Sequence, residues 1–143
     1  MVTHPRSRAS GSRRAVAAVE LAVLLPFLMF VFVAGVDFAR VFYHCITLTN
    51  CARNGAVYGS QDAAHAQDTD NIGRVAMLDF PSYLQDSSLN VSSTTDSTTA
   101  PTWVEVTVAY NFTTITKYPG VPNTTTLSRT VRTEVVPAVP TFP

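Results

Sequence analysis

From Ala15 to Val36 the chain runs for 22 residues with a single charged side chain, Glu20. At 1.5 Å per residue a helix of that length is about 33 Å long, enough to cross a bilayer core of about 30 Å. A segment this apolar has to be covered by lipid, buried in protein or removed by processing. Asp37 and Arg40 close the run. Pro26 lies inside it, and membrane helices absorb a proline with a kink.

The charges around the run set a direction. Arg6, Arg8, Arg13 and Arg14 are four of the chain's ten basic residues, and no acid precedes Glu20. Arginines before an apolar run hold that end in the cytoplasm, so Arg13 and Arg14 are the topology residues and everything after Val36 is expected to be exported. Residues 1–14 read as a basic cytoplasmic leader and 15–36 as the transmembrane segment. Charged residues make up only 14% of the chain, against roughly 25% in soluble domains. Past the leader the chain is slightly acidic, which argues against a nucleic-acid surface.

The pattern beyond the run argues against a signal peptide, whose apolar region is usually about 7–15 residues without an acid. Phe38, Val41, Phe42, Cys45, Leu48, Ala52 and Ala56 recur at spacings of three and four, as on one apolar face of a helix. Arg40, Thr47, Asn50 and Asn54 fall off that face. One helix from about Ala15 to Tyr58 is therefore expected, with 37–59 as its exported continuation. Asp37 and Arg40 are placed at the membrane exit, where they fix helix depth. The competing interpretation is a secreted or cell-surface β-rich binding module released by signal peptidase, with Val33–Ala34–Gly35 as the small-residue cleavage site.

Residues 60–143 form a small α+β domain in this scheme. SQDAAHAQDTDN (60–71) is a polar loop that contains His65. A short helix over about 71–84 carries Ile72, Val75, Ala76 and Leu78 on one face, with Asp70 or Thr69 as its cap. Strands are expected over about 89–93, 102–112 and 127–136. The central one alternates cleanly: Val104, Val106, Val108, Tyr110 and Phe112 share one face. YPGVPN (118–123) is a turn, and three sequential strands make an antiparallel meander. The fold class is α+β: a single N-terminal transmembrane helix extended into a long exported helix, packed on a small antiparallel sheet.

Little in the chain suggests chemistry. His4, His44 and His65 lie in leader, helix and loop, with no serine, aspartate or glycine-rich loop arranged around them. Cys45 and Cys51 stand six apart on the predicted helix, about 10 Å along separate faces and too far for a disulfide between them. They read as small buried side chains, with an intermolecular bridge left open. No catalytic residue, cofactor, metal or small-molecule substrate is expected.

The stretch 13–59 resembles the TadE-like family, pseudopilins of the tight-adherence (Flp-type) branch of type IV pilus systems. The resemblance rests on a basic leader, VAAVELAVLLP with glutamate fifth, the Asp37–Phe38–Ala39–Arg40 block and the L-T-N-x-A-R pattern at Leu48–Arg53. It implies a minor pilin-like subunit that takes part in assembling a tight-adherence pilus or related secretion machine. Its partners would be other pilins or pseudopilins, the inner-membrane assembly platform, the lipid bilayer and a prepilin peptidase. The family's processing pattern puts the scissile bond between Ala15 and Val16. Ala15 stands where glycine is usual, and Leu21 where tyrosine often follows the glutamate, so an uncleaved single-pass anchor remains the alternative. If the bond is cut, Glu20 of one subunit can pair with the new Val16 amine of a neighbour, in one axial register only. If it is not, Glu20 lies about 9 Å past Arg14 and reaches headgroups by itself.

Overall fold

The computed structural model describes residues 9–85, 88–115 and 122–137, with side chains from Arg14 onward. Most of the expected leader, the core of the 118–123 turn and the last six residues lie outside the described residues. The elements run α1 (Ala9–Gly59), α2 (Ala63–Gln67), α3 (Thr69–Met77), a 3-10 turn (Ser82–Leu84), β1 (Leu89–Thr95), β2 (Trp103–Thr113) and β3 (Thr124–Glu134). The chain divides into two units, Met1–Phe38 and Ala39–Pro143, and α1 runs through the boundary.

In the first unit, every side chain from Arg14 to Phe32 is exposed. Pro26 lies inside the helix without ending it. This helix is long and apolar enough to cross a membrane by length and composition.

The second unit is built on a three-stranded antiparallel sheet in the order β1-β2-β3. β2 is central because its alternation gives it one fully apolar face: Val104, Val106, Val108, Tyr110 and Phe112 are all buried. Its neighbours are paired through Val91 opposite Val108 and Val131 opposite Val106, which keeps the apolar side chains of all three strands on one face. The opposite face carries Asn90, Ser92, Thr94, Thr107, Thr126 and Thr130, with Thr107 and Thr130 hydroxyls 2.8 Å apart. Sheet and helix together make the molecule α+β, with the later half of α1 and the sheet enclosing one core.

The buried face of α1 is Leu48, Cys51, Ala52, Ala56 and, less expectedly, His44 and Thr47. This rotates the face inferred from spacing. Phe42 and Phe38 are 68% and 67% exposed, whereas Thr47 is buried. A helix turns about 100° per residue, so a run of fours drifts off the seam that Val41, Leu48, Cys51 and Ala52 define. Thr47 is tolerated there because its hydroxyl donates to the Tyr43 carbonyl at 3.0 Å, leaving no unpaired group. Gly55 lies inside the helix and Gly59 is its last residue. They are its points of closest approach: a Cβ on Gly55 would stand 3.1 Å from Ala76 Cβ and 3.2 Å from Val106 Cγ1.

The middle of the chain departs further from expectation. The polar stretch after Gly59 contains a helical turn, α2, because Asp62 accepts from the His65 backbone N–H at 2.8 Å and caps it. α3 is capped by Asp68, not Asp70 or Thr69: its carboxylate accepts from the Asn71 N–H at 3.1 Å and the Asn71 side-chain amide at 2.7 Å. It stops at Met77, short of Leu84, since Pro81 lacks an N–H and disfavours helical backbone at Phe80. The freed chain turns Phe80 into the core, where its ring lies 5.3 Å from Tyr110.

Candidate functional site

The residues singled out from sequence all stand on α1, and the helix separates them by depth along its axis. Ala15, Val16 and Glu20 are exposed side chains of its first turns. Glu20 is flanked by Val19, Val23 and Leu24, and among the described residues it makes no hydrogen bond or ion pair. Because α1 begins at Ala9, the Ala15–Val16 bond lies within helical backbone. Arg14 is exposed, while the side chain of Arg13 lies outside the described set.

Asp37 and Arg40 come later in α1. Asp37 is 6% exposed and is engaged within the chain. Arg40 is half-buried: its guanidinium carbon lies 4.9 Å from the centre of the Phe112 ring, and its Nη1 donates to the Thr113 carbonyl at 3.5 Å. Arg40 thus binds the end of β2 by a cation–π contact, a role that a charge-based topology argument does not reveal.

His44, one turn after Arg40, is the residue that sequence reasoning passed over. It is buried, with its ring 5.1 Å from Tyr110 and 5.5 Å from Phe112. Burial, and then the Arg40 charge, pull its pKa down from the usual imidazole value. Its place was visible in the spacing, since it sits four residues before Leu48 and seven before Cys51.

The two cysteines are free. Cys51 is buried in the seam, and burial, together with the Asp79 carboxylate, pushes its thiol up to about 11, so it is an inert apolar side chain rather than a nucleophile. His65, expected in a solvated loop, instead packs edge-on to Tyr58 with ring centres 4.9 Å apart. Its Nδ1 stands 2.9 Å from the Asp62 carboxylate. Among the described residues no cluster of His, Cys, Asp or Glu is arranged to hold a metal ion.

A protein-family model described as TadE-like protein matches residues 15–57. No curated protein and no solved structure matches the chain. The matched stretch starts at the alanine of the candidate scissile bond and ends two residues before α1 does, so it covers the apolar run, Glu20, the Asp37–Arg40 block and the sheet-packed seam. The likeness to the TadE-like family thus lies on the long apolar helix, which is also the stretch long and apolar enough to cross a membrane.

Proposed function

We propose that this chain is a minor, membrane-anchored pilin-like subunit that takes part in assembling a tight-adherence pilus or a related secretion machine by packing of α1. The observation that carries the proposal is the coincidence of the TadE-like match at 15–57 with an α1 whose side chains from Arg14 to Phe32 are exposed among the described residues. A helix left exposed and almost wholly apolar for about five turns needs lipid or other helices around it. The arginines before the run put the N-terminus in the cytoplasm and the sheet domain outside. The partners are other pilins or pseudopilins and the inner-membrane platform.

Glu20 is the residue assigned to subunit pairing. After cleavage between Ala15 and Val16, the Val16 amine, cationic near pH 7, would lie one helical turn from Glu20. Paired with a neighbour's amine, the carboxylate offsets its own desolvation only when the two helices are in one register. One observation favours the uncleaved anchor as a second form: the Ala15–Val16 bond is helical, so a peptidase that takes extended backbone has to unwind the first two turns of α1.

Mass spectrometry of the N-terminus from a membrane fraction tests the proposal. A start at Val16 supports the processed subunit, and an intact leader with membrane retention supports the anchor. A start near Val36 sinks both and leaves the secreted β-rich module. With processing established, Glu20→Ala is expected to leave insertion intact and reduce piliation. Unchanged piliation removes the pairing role.

A further inference from the structure

His44 lies at the seam where α1 meets the sheet, and nothing in the assembly role uses it. It is 5% exposed, and among the described residues its Nδ1 has no hydrogen-bond partner. Its surroundings are aromatic: Tyr110 at 5.1 Å with planes tilted by 31°, Phe112 edge-on at 5.5 Å, and Tyr43 at 5.7 Å. A neutral imidazole fits such a cage as a flat, weakly polar plug. An imidazolium does not, because both its nitrogens are donors and among the described residues Nδ1 meets no acceptor.

The charges around it sharpen the contrast. On α1, Arg40 stands one turn away with its guanidinium on the same Phe112 ring, 4.9 Å from the centre. Tyr43 is the neighbouring titratable group on the helix, and Tyr110 is the one on β2. On β3, Arg129 pairs opposite Val108, on the same face of the sheet as Tyr110. β1 turns Leu89, Val91, Ser93 and Thr95 to that face, none of them charged. Beyond α3, Asp79 is taken up by the Asn54 amide at 2.5 Å, ten residues further along α1. Asp37, seven residues before His44 in sequence, is the nearest preceding carboxylate on α1 and is itself engaged.

We propose that His44 is an acid-sensitive latch between α1 and the sheet: neutral, its ring closes the Tyr110–Phe112 cage, and protonated, it adds a second cation beside Arg40 and opens that end of the seam. The lowered proton affinity of the buried ring agrees with this geometry. The sign follows from linkage. A histidine whose folded pKa is depressed contributes stability above its ordinary value near 6.5, and that contribution is lost as pH falls through 6.5 toward the folded value. A docked state with lower proton affinity than the open one has an opening constant that grows as pH falls, until both states are protonated. The later half of α1 thus holds the sheet domain more loosely in an acidic exterior. This inference does not depend on the pilin role, and its failure leaves that role untouched.

Hydrogen exchange of the full chain in detergent micelles tests it, at pH 7.5 and 5.5 with rates corrected for intrinsic pH dependence. Peptides from 41–48 and 106–112 are expected to exchange several-fold faster at pH 5.5, with α3 unchanged. Equal corrected protection at both values overturns the latch. His44→Phe is expected to hold its protection at pH 5.5, and His65→Gln to behave as the parent. Acid loosening that persists in His44→Phe, or vanishes in His65→Gln, assigns the effect elsewhere and overturns it. If His44→Phe does not fold, NMR titration of the parent's imidazoles decides, with His65→Gln used for assignment. His44 titrating below 6.5 supports the latch, and at or above 6.5 refutes it.

Discussion

Replacing Gly55 by alanine sets two known effects against each other at one site. In a helix interior the change is worth up to about 1 kcal/mol in favour of alanine, through reduced backbone freedom in the unfolded chain. Against it stands the space: the new methyl would lie 3.1 Å from Ala76 Cβ, 3.2 Å from Val106 Cγ1 and 3.3 Å from the Ile72 carbonyl oxygen. Two of those three atoms belong to α3, one of them backbone, so relief requires α3 to back away from α1. Forcing a methyl into a packed core costs about 1–3 kcal/mol. The packing loss wins, and the net is a destabilisation of about 1 kcal/mol. For a unit of this size that lowers Tm by about 4 °C. Gly73 provides the matched control, since a Cβ there meets nothing within 4 Å. Gly73→Ala is expected to raise Tm by a similar amount, and thermal unfolding by circular dichroism in one detergent compares the pair. If Gly55→Ala raises Tm as Gly73→Ala does, α1 and α3 are not in the close contact described, and the reasoning fails.

Two further expectations follow from the seam and the cap. Leu48→Ala removes a fully buried side chain and is expected to cost about 2–5 kcal/mol, whereas Ile46→Ala, 64% exposed on the other side of the helix, stays within about 0.5 kcal/mol; denaturant unfolding of the full chain separates them. The Asp68 carboxyl is held below its usual range, first by the Asn71 side chain and then by the Asn71 backbone N–H, so its support of α3 is present above the ordinary carboxylate pKa and lost as pH falls through the depressed value. Exchange across Thr69–Met77 is expected to accelerate in that acid window, and Asp68→Ala to show the faster exchange already at neutral pH.

The fold class was legible because two periodicities in the sequence are strong. A 22-residue run with one charge admits few structures, and a strand alternating from Val104 to Phe112 declares its buried face residue by residue. What was not legible turned on local hydrogen bonds. Spacing alone put Phe42 inside and Thr47 outside, because it does not show that a threonine can satisfy itself on the Tyr43 carbonyl. Composition made residues 60–71 a loop, although Asp62 and Asp68 each supply a cap that turns polar sequence into helix. Arg40 and His44 were sorted by charge and residue type, and their actual role at the end of β2 depends on aromatic rings about seventy residues away in sequence. Glu20 was legible as an anomaly, and the chain itself supplies no partner for it among the described residues.

That last fact ties the two open questions about α1 into one. If headgroups or water satisfy Glu20, its replacement is indifferent to whether the Ala15–Val16 bond is cut. If a neighbour's Val16 amine satisfies it, the carboxylate matters only in a chain that has that amine. The two variants then cannot be additive, because each removes one half of the same pair. A chain whose cleavage is blocked at Ala15 loses the pairing already, so adding Glu20→Ala to it changes piliation no further. In the cleaved background the same substitution reduces it. Equal proportional losses in both backgrounds would mean that Glu20 acts through depth or insertion, and the register role would have to be given up even with the cleaved N-terminus in hand.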